Sequence, residues 1–249
     1  MTIYNLSTTI DDDTILVTIA HANSEIGTVQ NIAEIGRFLA RQNILFHSDC
    51  VQTFGKLPIP SEHLSSLTVS AHKCYGPKGV GAAYIQRELP WVPFLQGTTH
   101  ENGFRPGTVD VPAIASFAAA IDEWLPQAKD EMIRLGKLRA RFISAFQAEE
   151  RVVFEGHPTN RLPFHTGLRV KGIEGQLLML EFNRKGIAIS TGSACRVGES
   201  TPPKTLISIG RSEEEAHEFV RITFGRWTTE EEVDVLIEAF HEILSTIKR

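Results

Sequence analysis

The spacing of hydrophobic positions changes several times along the chain, and each change marks an element. In TILVTIAH (14–21) β-branched and apolar residues crowd into a short run, as a sheet strand requires. NIAEIGRFLARQ (31–42) instead places Ile32, Ile35, Phe38 and Leu39 on one helical face. ILFHSD (44–49) is a second short strand. Strand, helix and strand in that order predict a parallel pair with both sheet faces covered. LTVSAH (67–72) and GVGAAYI (79–85) read as two more strands, and the Pro- and Gly-punctuated residues 90–108 as a loop. A long helical stretch follows over about residues 111–149, with a bend or break expected near Pro126. HTGLRV (165–170), IAIS (187–190) and FVRITF (219–224) read as strands, and EGQLLMLEFNRKG (174–186) as a helix stopped at Gly186. TTEEEVDVLIEAFHEIL (228–244) is a helix whose Thr-x-x-Glu start resembles a capping box. The pattern predicts an α/β chain: a part with a mainly parallel sheet over residues 1–128, and a smaller α+β part over residues 129–249.

Composition excludes more than it identifies. A chain of 249 residues can bury a sizeable core in one or two domains, and 42% hydrophobic with 22% charged residues is ordinary for a globular protein. A net charge of -5 leaves no basic excess to neutralise phosphates, which argues against nucleic acid as a direct partner. No apolar run approaches the ~20 residues of a membrane helix. The start, MTIYNLSTTIDDD, lacks the basic-then-apolar pattern of a signal peptide. Cys50, Cys74 and Cys195 form no C-x-x-C pair and no disulfide framework, so a reducing cytoplasm is the simplest setting. The nine histidines include no HExxH and no Cys/His cluster at ligand spacing, and no metal site is expected.

Four positions carry candidate chemistry. Lys73 closes an apolar run in SAHKCYGPKG (70–79), either as a solvated cap or as an amine held against a cofactor. The adjoining GPKGVG (76–81) lacks the P-loop's Gly-Lys-Ser/Thr and its strand-to-helix setting, and reads as a tight turn. Asp49 ends ILFHSD, either as a cap of the following turn or as a carboxylate in the crevice at the carboxyl ends of parallel strands. An amine and a carboxylate from neighbouring strand ends suit pyridoxal phosphate, whose chemistry needs a Schiff-base lysine and a protonated ring nitrogen. Cys195 lies in STGSACRVGES (190–200), a polar, small-residue loop that suits a mobile nucleophile better than a packed thiol; Cys50 and Cys74 read as packing residues. Arg221, inside FVRITF, needs an anionic partner, which is either a substrate carboxylate or a structural ion pair.

Six segments together resemble the cysteine desulfurases of the class V aminotransferase fold: HANSEIGTVQ (21–30), HSDCVQTFGKLPI (47–59), SAHKCYGPKGVGAAYI (70–85), HENGFRPGT (100–108), STGSAC (190–195) and VRITFGRWTTEEEVD (220–234). They occur in the family's order across nearly the whole chain. The resemblance implies part of the large domain of a fold type I pyridoxal phosphate (PLP) enzyme, followed by a small C-terminal domain carrying the cysteine loop. It implies Lys73, Cys195 and His72 as the catalytic set, with Lys73 forming the Schiff base. Asp49 would pair with the ring nitrogen, and Gln52 and Ser24 would meet the ring oxygen. Ser70 and His72 would hold the phosphate, and Thr108 would serve the phosphate site of the partner subunit in a homodimer. Arg221 would bind the carboxylate of L-cysteine, and Cys195 would take its sulfur. The implied partners are L-cysteine and a sulfur acceptor, an iron–sulfur scaffold or a tRNA-thiolating enzyme, with Cys195 meeting a metal cluster only during transfer.

Two departures from the family pattern shape the expectation. The match begins well inside it, so roughly the first third is absent, including the phosphate-cradling loop and the histidine that stacks on the ring. Sheet edge and apolar surface should then be exposed, and PLP should bind poorly to the chain alone. The family usually has asparagine where this chain has Ser24, and Pro106 replaces a small residue. The alternatives to an active desulfurase are a non-catalytic remnant, half of a split enzyme, or a related class V lyase or aminotransferase. STGSAC argues against the last, since transamination needs no loop cysteine.

Overall fold

The structure, a computed structural model, describes residues 2–95, 97, 100–192 and 201–247. They form two compact units, residues 1–21 with 30–129 and residues 22–29 with 130–249.

The first unit opens with α1 (Ile3–Ser7), β1 (Leu16–Ala20), α2 (Ile32–Arg41), β2 (Leu45–Asp49) and β3 (Ser66–Ser70), then a single 3-10 turn (Ala71–Lys73) and β4 (Gly81–Ile85). The sheet order is β1-β2-β3-β4. The first three strands run parallel, with Ala20 opposite Asp49 and Asp49 opposite Thr68, and β4 returns antiparallel to β3. The carboxyl ends of β1, β2 and β3 therefore share one edge. Asn31 caps α2 by accepting a hydrogen bond from the Glu34 amide. The apolar face of α2 then buries Ile32, Ile35 and Leu39 with Leu6, Phe46 and Leu64. On the opposite sheet face the register pair Leu16 and Leu45 stays 52% and 39% exposed, so the expected cover is lacking at that pair.

A helix of 36 residues, α3 (Val111–Phe146), follows, with Pro126 inside it. The expected break does not occur. Pro126 and Asp122, whose carbonyl loses its helical partner, both lie on an exposed stretch where water can replace the bond.

The second unit contains a three-stranded antiparallel sheet of β5 (Val152–Glu155), β6 (His165–Val170) and β7 (Phe219–Thr223) with β6 central. Every residue of β6 is buried. Between β6 and β7 lie α4 (Gly175–Arg184), α5 (Lys204–Ser208) and α6 (Glu213–His217), and α7 (Glu230–Thr246) ends the unit. Phe142, Phe146, Phe182 and Phe240 form a connected aromatic core, with ring centroids 4.6–5.2 Å apart along the chain of contacts. Glu155, 1% exposed, is bound by Arg169 at 2.6 Å and Arg211 at 3.0 Å, so this buried carboxylate is paired. The capping box at Thr229 and Glu232 is present as read from the sequence. IAIS forms no strand: only Ser190 pairs, in an isolated bridge to Arg221.

Candidate active site

In the first unit the strand ends deliver Asp49, Ser70, His72 and Lys73 to the same edge of the sheet. LTVSAH stops being a strand at Ser70, because the amides of Cys74 and Gly76 both turn back to the Ala71 carbonyl, at 2.8 and 3.0 Å. The 3-10 turn so formed carries His72, which is exposed, and Lys73, which is half-buried. Lys73 makes no hydrogen bond or ion pair among the described residues. Tyr75, just beyond, takes φ +66°, a left-handed conformation that a bulky residue adopts only when its surroundings hold it there. Its ring lies 4.7 Å from that of Trp124, and the Trp124 indole donates to the Gly55 carbonyl at 2.5 Å. GPKG is a turn between two strands, as the sequence predicts, and the structure makes the strands antiparallel, with Gly79 at φ +86°. Gly81 is obligatory, since a Cβ there would meet the Val69 carbonyl at 2.4 Å.

Asp49 is exposed, and its Oδ1 accepts from the Val51 amide at 2.9 Å. It thus caps the local turn, while Oδ2 makes no hydrogen bond among the described residues. Gln52 is half-buried in the same turn. The turn is braced by His21, a residue that pattern reading did not single out. The Asp49 carbonyl accepts from the His21 amide at 2.9 Å. The Thr53 hydroxyl donates to the Cys50 carbonyl and lies 2.9 Å from His21 Nδ1, which therefore carries the proton and donates. Burial pushes the His21 pKa from 6.5 down to about 4. Lys56 is a second missed residue: burial lowers its pKa to about 8, with Cys74 opposing and the charge of Lys73 adding to that shift. Cys50 and Cys74 are buried, and burial raises both thiols, as suits packing residues. Thr108 is exposed in the loop before α3 and makes no hydrogen bond to this group.

In the second unit Arg221 sits in β7, with its amide and carbonyl both paired to Ser190 at 2.6 and 3.1 Å. Its Nη1 donates to the Ser24 carbonyl at 3.0 Å. Burial lowers the Arg221 pKa and the charge of Glu25 opposes this. Among the described residues Arg221 has no direct carboxylate partner, which weakens the structural ion-pair reading. Ser24 lies in a turn in which Asn23 Oδ1 accepts from the Glu25 and Ile26 amides at 2.8 and 2.9 Å. Cys195, in residues 193–200, lies outside the described residues. No group of three or more potential metal ligands and no membrane-spanning helix occurs among the described residues.

This arrangement defines an α/β protein with the fold of NifS-like, fold type I PLP enzymes, over the part of that fold the chain spans. A NifS-like protein superimposes with a TM-score of 0.88 at 30% identity, covering 99% of this chain and 65% of its own. A NifS-like protein from Rickettsia africae gives 0.87 at 30% identity, covering 98% and 65%. In sequence, a NifS protein of Halalkalibacterium halodurans is 46% identical over 95% of this chain and 63% of its own length. The cysteine desulfurase IscS of Anaeromyxobacter dehalogenans is 39% identical over 92% and 58%. The class-V aminotransferase pattern matches residues 1–236, and the chain belongs to that family. It spans about 60% of the length of these curated relatives.

Proposed function

We propose that the chain is a PLP-dependent cysteine desulfurase, acting in the cytoplasm as a homodimer and passing sulfur towards iron–sulfur cluster or thio-cofactor synthesis. The supporting observation is the shared strand edge that carries Asp49, Ser70 and Lys73. The donor set suits the cofactor: among the described residues, an amine without a competing partner and a carboxylate with one oxygen not hydrogen-bonded, with a hydroxyl and an imidazole for a phosphate. Bound there, PLP supplies an electron sink that labilises bonds at the α-carbon of an amino acid. Lys73 anchors it and afterwards moves the proton at the substrate α-carbon, with His72 beside it. Asp49 would keep the ring nitrogen protonated, Gln52 and Ser24 would be further cofactor-binding residues, and Ser70 and His72 would hold the phosphate. Thr108 serves the phosphate site of the partner subunit. Arg221 orients the substrate carboxylate. Cys195 as thiolate takes the sulfur, so that its thiol and L-cysteine become a Cys195 persulfide and L-alanine, with all atoms and electrons accounted for. An iron–sulfur scaffold or a tRNA-thiolating enzyme then receives the sulfur.

The test is alanine formation from L-cysteine by the full chain supplied with PLP. Cys195→Ser should stop it while PLP still labels Lys73 on borohydride reduction. Unchanged turnover in that variant would sink the nucleophile assignment. A second reading, a chain that acts only when joined to another, is favoured by Ile15, just before the edge strand β1, and Leu16, its first residue, which are 80% and 52% exposed. It predicts labelling of Lys73 without alanine formation.

A further inference from the structure

We propose that His165 is a positioning residue for Arg221, acting through the Ser24 backbone carbonyl that both side chains share. His165 is the first residue of β6 and is 2% exposed. Its Nε2 lies 3.0 Å from the Ser24 oxygen, and Arg221 Nη1 lies at the same distance from that oxygen. A carbonyl can only accept, so Nε2 carries the ring proton and donates, leaving Nδ1 bare. Nδ1 is one of the few buried polar atoms with no partner among the described residues, so nothing there competes with Nε2 for the ring proton.

Both ends of this contact are fixed. The ring lies against Gly27, at φ +75°, where a Cβ would come within 2.7 Å of Nδ1, so only glycine leaves the imidazole its seat. The His165 carbonyl accepts from Arg139 Nε at 3.0 Å and from an Arg161 terminal nitrogen at 3.2 Å. The turn bearing Ser24 is closed by Asn23 amide to Thr28 carbonyl at 2.9 Å and Gly27 amide to Asn23 carbonyl at 3.0 Å. Burial first, then the charges of Arg221, Arg161 and Arg139, push the His165 pKa down to about 4 against the opposing bond to Ser24, so the ring is neutral. A neutral donor can sit among three guanidinium groups without adding a fourth charge. It holds the carbonyl on line for Arg221 Nη1, whose bond to it leaves Nε and the second terminal nitrogen without hydrogen bonds among the described residues. Those two groups form the fork that a carboxylate binds. His165 thus orients the fork without touching substrate.

The inference rests on the reading of Arg221 as the holder of the substrate carboxylate, and the experiment separates the two. The probe is 3-mercaptopropionate, which keeps the carboxylate and thiol of L-cysteine but lacks its amine. Its binding to the full chain is measured by calorimetry for wild type, Arg221→Ala, His165→Leu and His165→Gln. Wild type should bind, Arg221→Ala should lose binding, and His165→Leu should weaken it roughly tenfold, the scale of one lost buried hydrogen bond. His165→Gln, whose amide can reach the same carbonyl, should restore binding to within about twofold. Absence of binding to wild type, or equal binding by Arg221→Ala, overturns the Arg221 reading and the positioning role with it. Weak Arg221→Ala with an unchanged His165→Leu overturns the positioning role alone. A His165→Gln as weak as His165→Leu reduces His165 to packing and overturns it too. Should His165→Leu fail to fold, ¹⁵N spectra of the wild-type imidazole decide. A neutral Nε2–H ring at neutral pH is required, and an Nδ1–H or charged ring contradicts the shared carbonyl.

Discussion

Buried histidines make stability depend on pH in a direction that burial dictates. His21 and His165 both have pKa values pushed from 6.5 to about 4. Between those values the unfolded chain binds protons that the native chain refuses. The stability that these two rings contribute is therefore full above about pH 6.5, falls as the pH drops towards about 4, and changes no further below that. Thermal midpoints measured across this window should show the fall, and His21→Asn or His165→Gln should each flatten it. A wild-type midpoint constant over the window would contradict the buried, neutral rings. Lys73, Asp49 and Arg221 were legible in the sequence because a charge that interrupts or ends an apolar run is conspicuous. His21 and His165 were not, because their contacts are with a hydroxyl and a carbonyl brought from far along the chain.

The β3–turn–β4 segment couples backbone geometry to the placement of Lys73. The sequence disclosed both strands and the turn through apolar runs and glycines. It did not disclose the 3-10 turn, which arises when two amides converge on the Ala71 carbonyl. Gly81→Ala would drive a methyl group into the Val69 carbonyl, and overpacking of this kind typically costs about 1–3 kcal/mol. Denaturant unfolding should show a lowered midpoint, and PLP labelling of Lys73 should fall with it; an unchanged midpoint would show that the strands part without penalty. At α7, Thr229→Ala removes the acceptor for the Glu232 amide and should cost about 1 kcal/mol with no effect on labelling. IAIS failed as a strand because β7 gives it one paired residue, and a four-residue apolar run does not state how many partners it will find. VVFE, now β5, was missed for the complementary reason, being too short to stand out after a long helix.

The class-V aminotransferase fold followed from the order of elements and the six segments, whereas the grouping of residues 22–29 with residues 130–249 and the exposure of Leu16 beside Leu45 needed the three-dimensional structure to be seen. Ile15 and Leu16 are apolar and exposed at a sheet edge, which favours association. Sedimentation should show concentration-dependent association that Ile15→Lys with Leu16→Lys reduces, at little change in thermal midpoint. The same association in the double variant would place the contact elsewhere. Every functional role assigned above depends on Lys73 being the amine that engages the cofactor. The direct measurement is borohydride reduction of the full chain with PLP in excess, which traps the Schiff base even where binding is as weak as expected for the chain alone, followed by peptide mass mapping. A single pyridoxyl group is expected on Lys73, lost in Lys73→Ala even though Lys56 and Lys78 remain. A label on Lys56 or Lys78 in the wild type, or one spread over surface lysines, would contradict it.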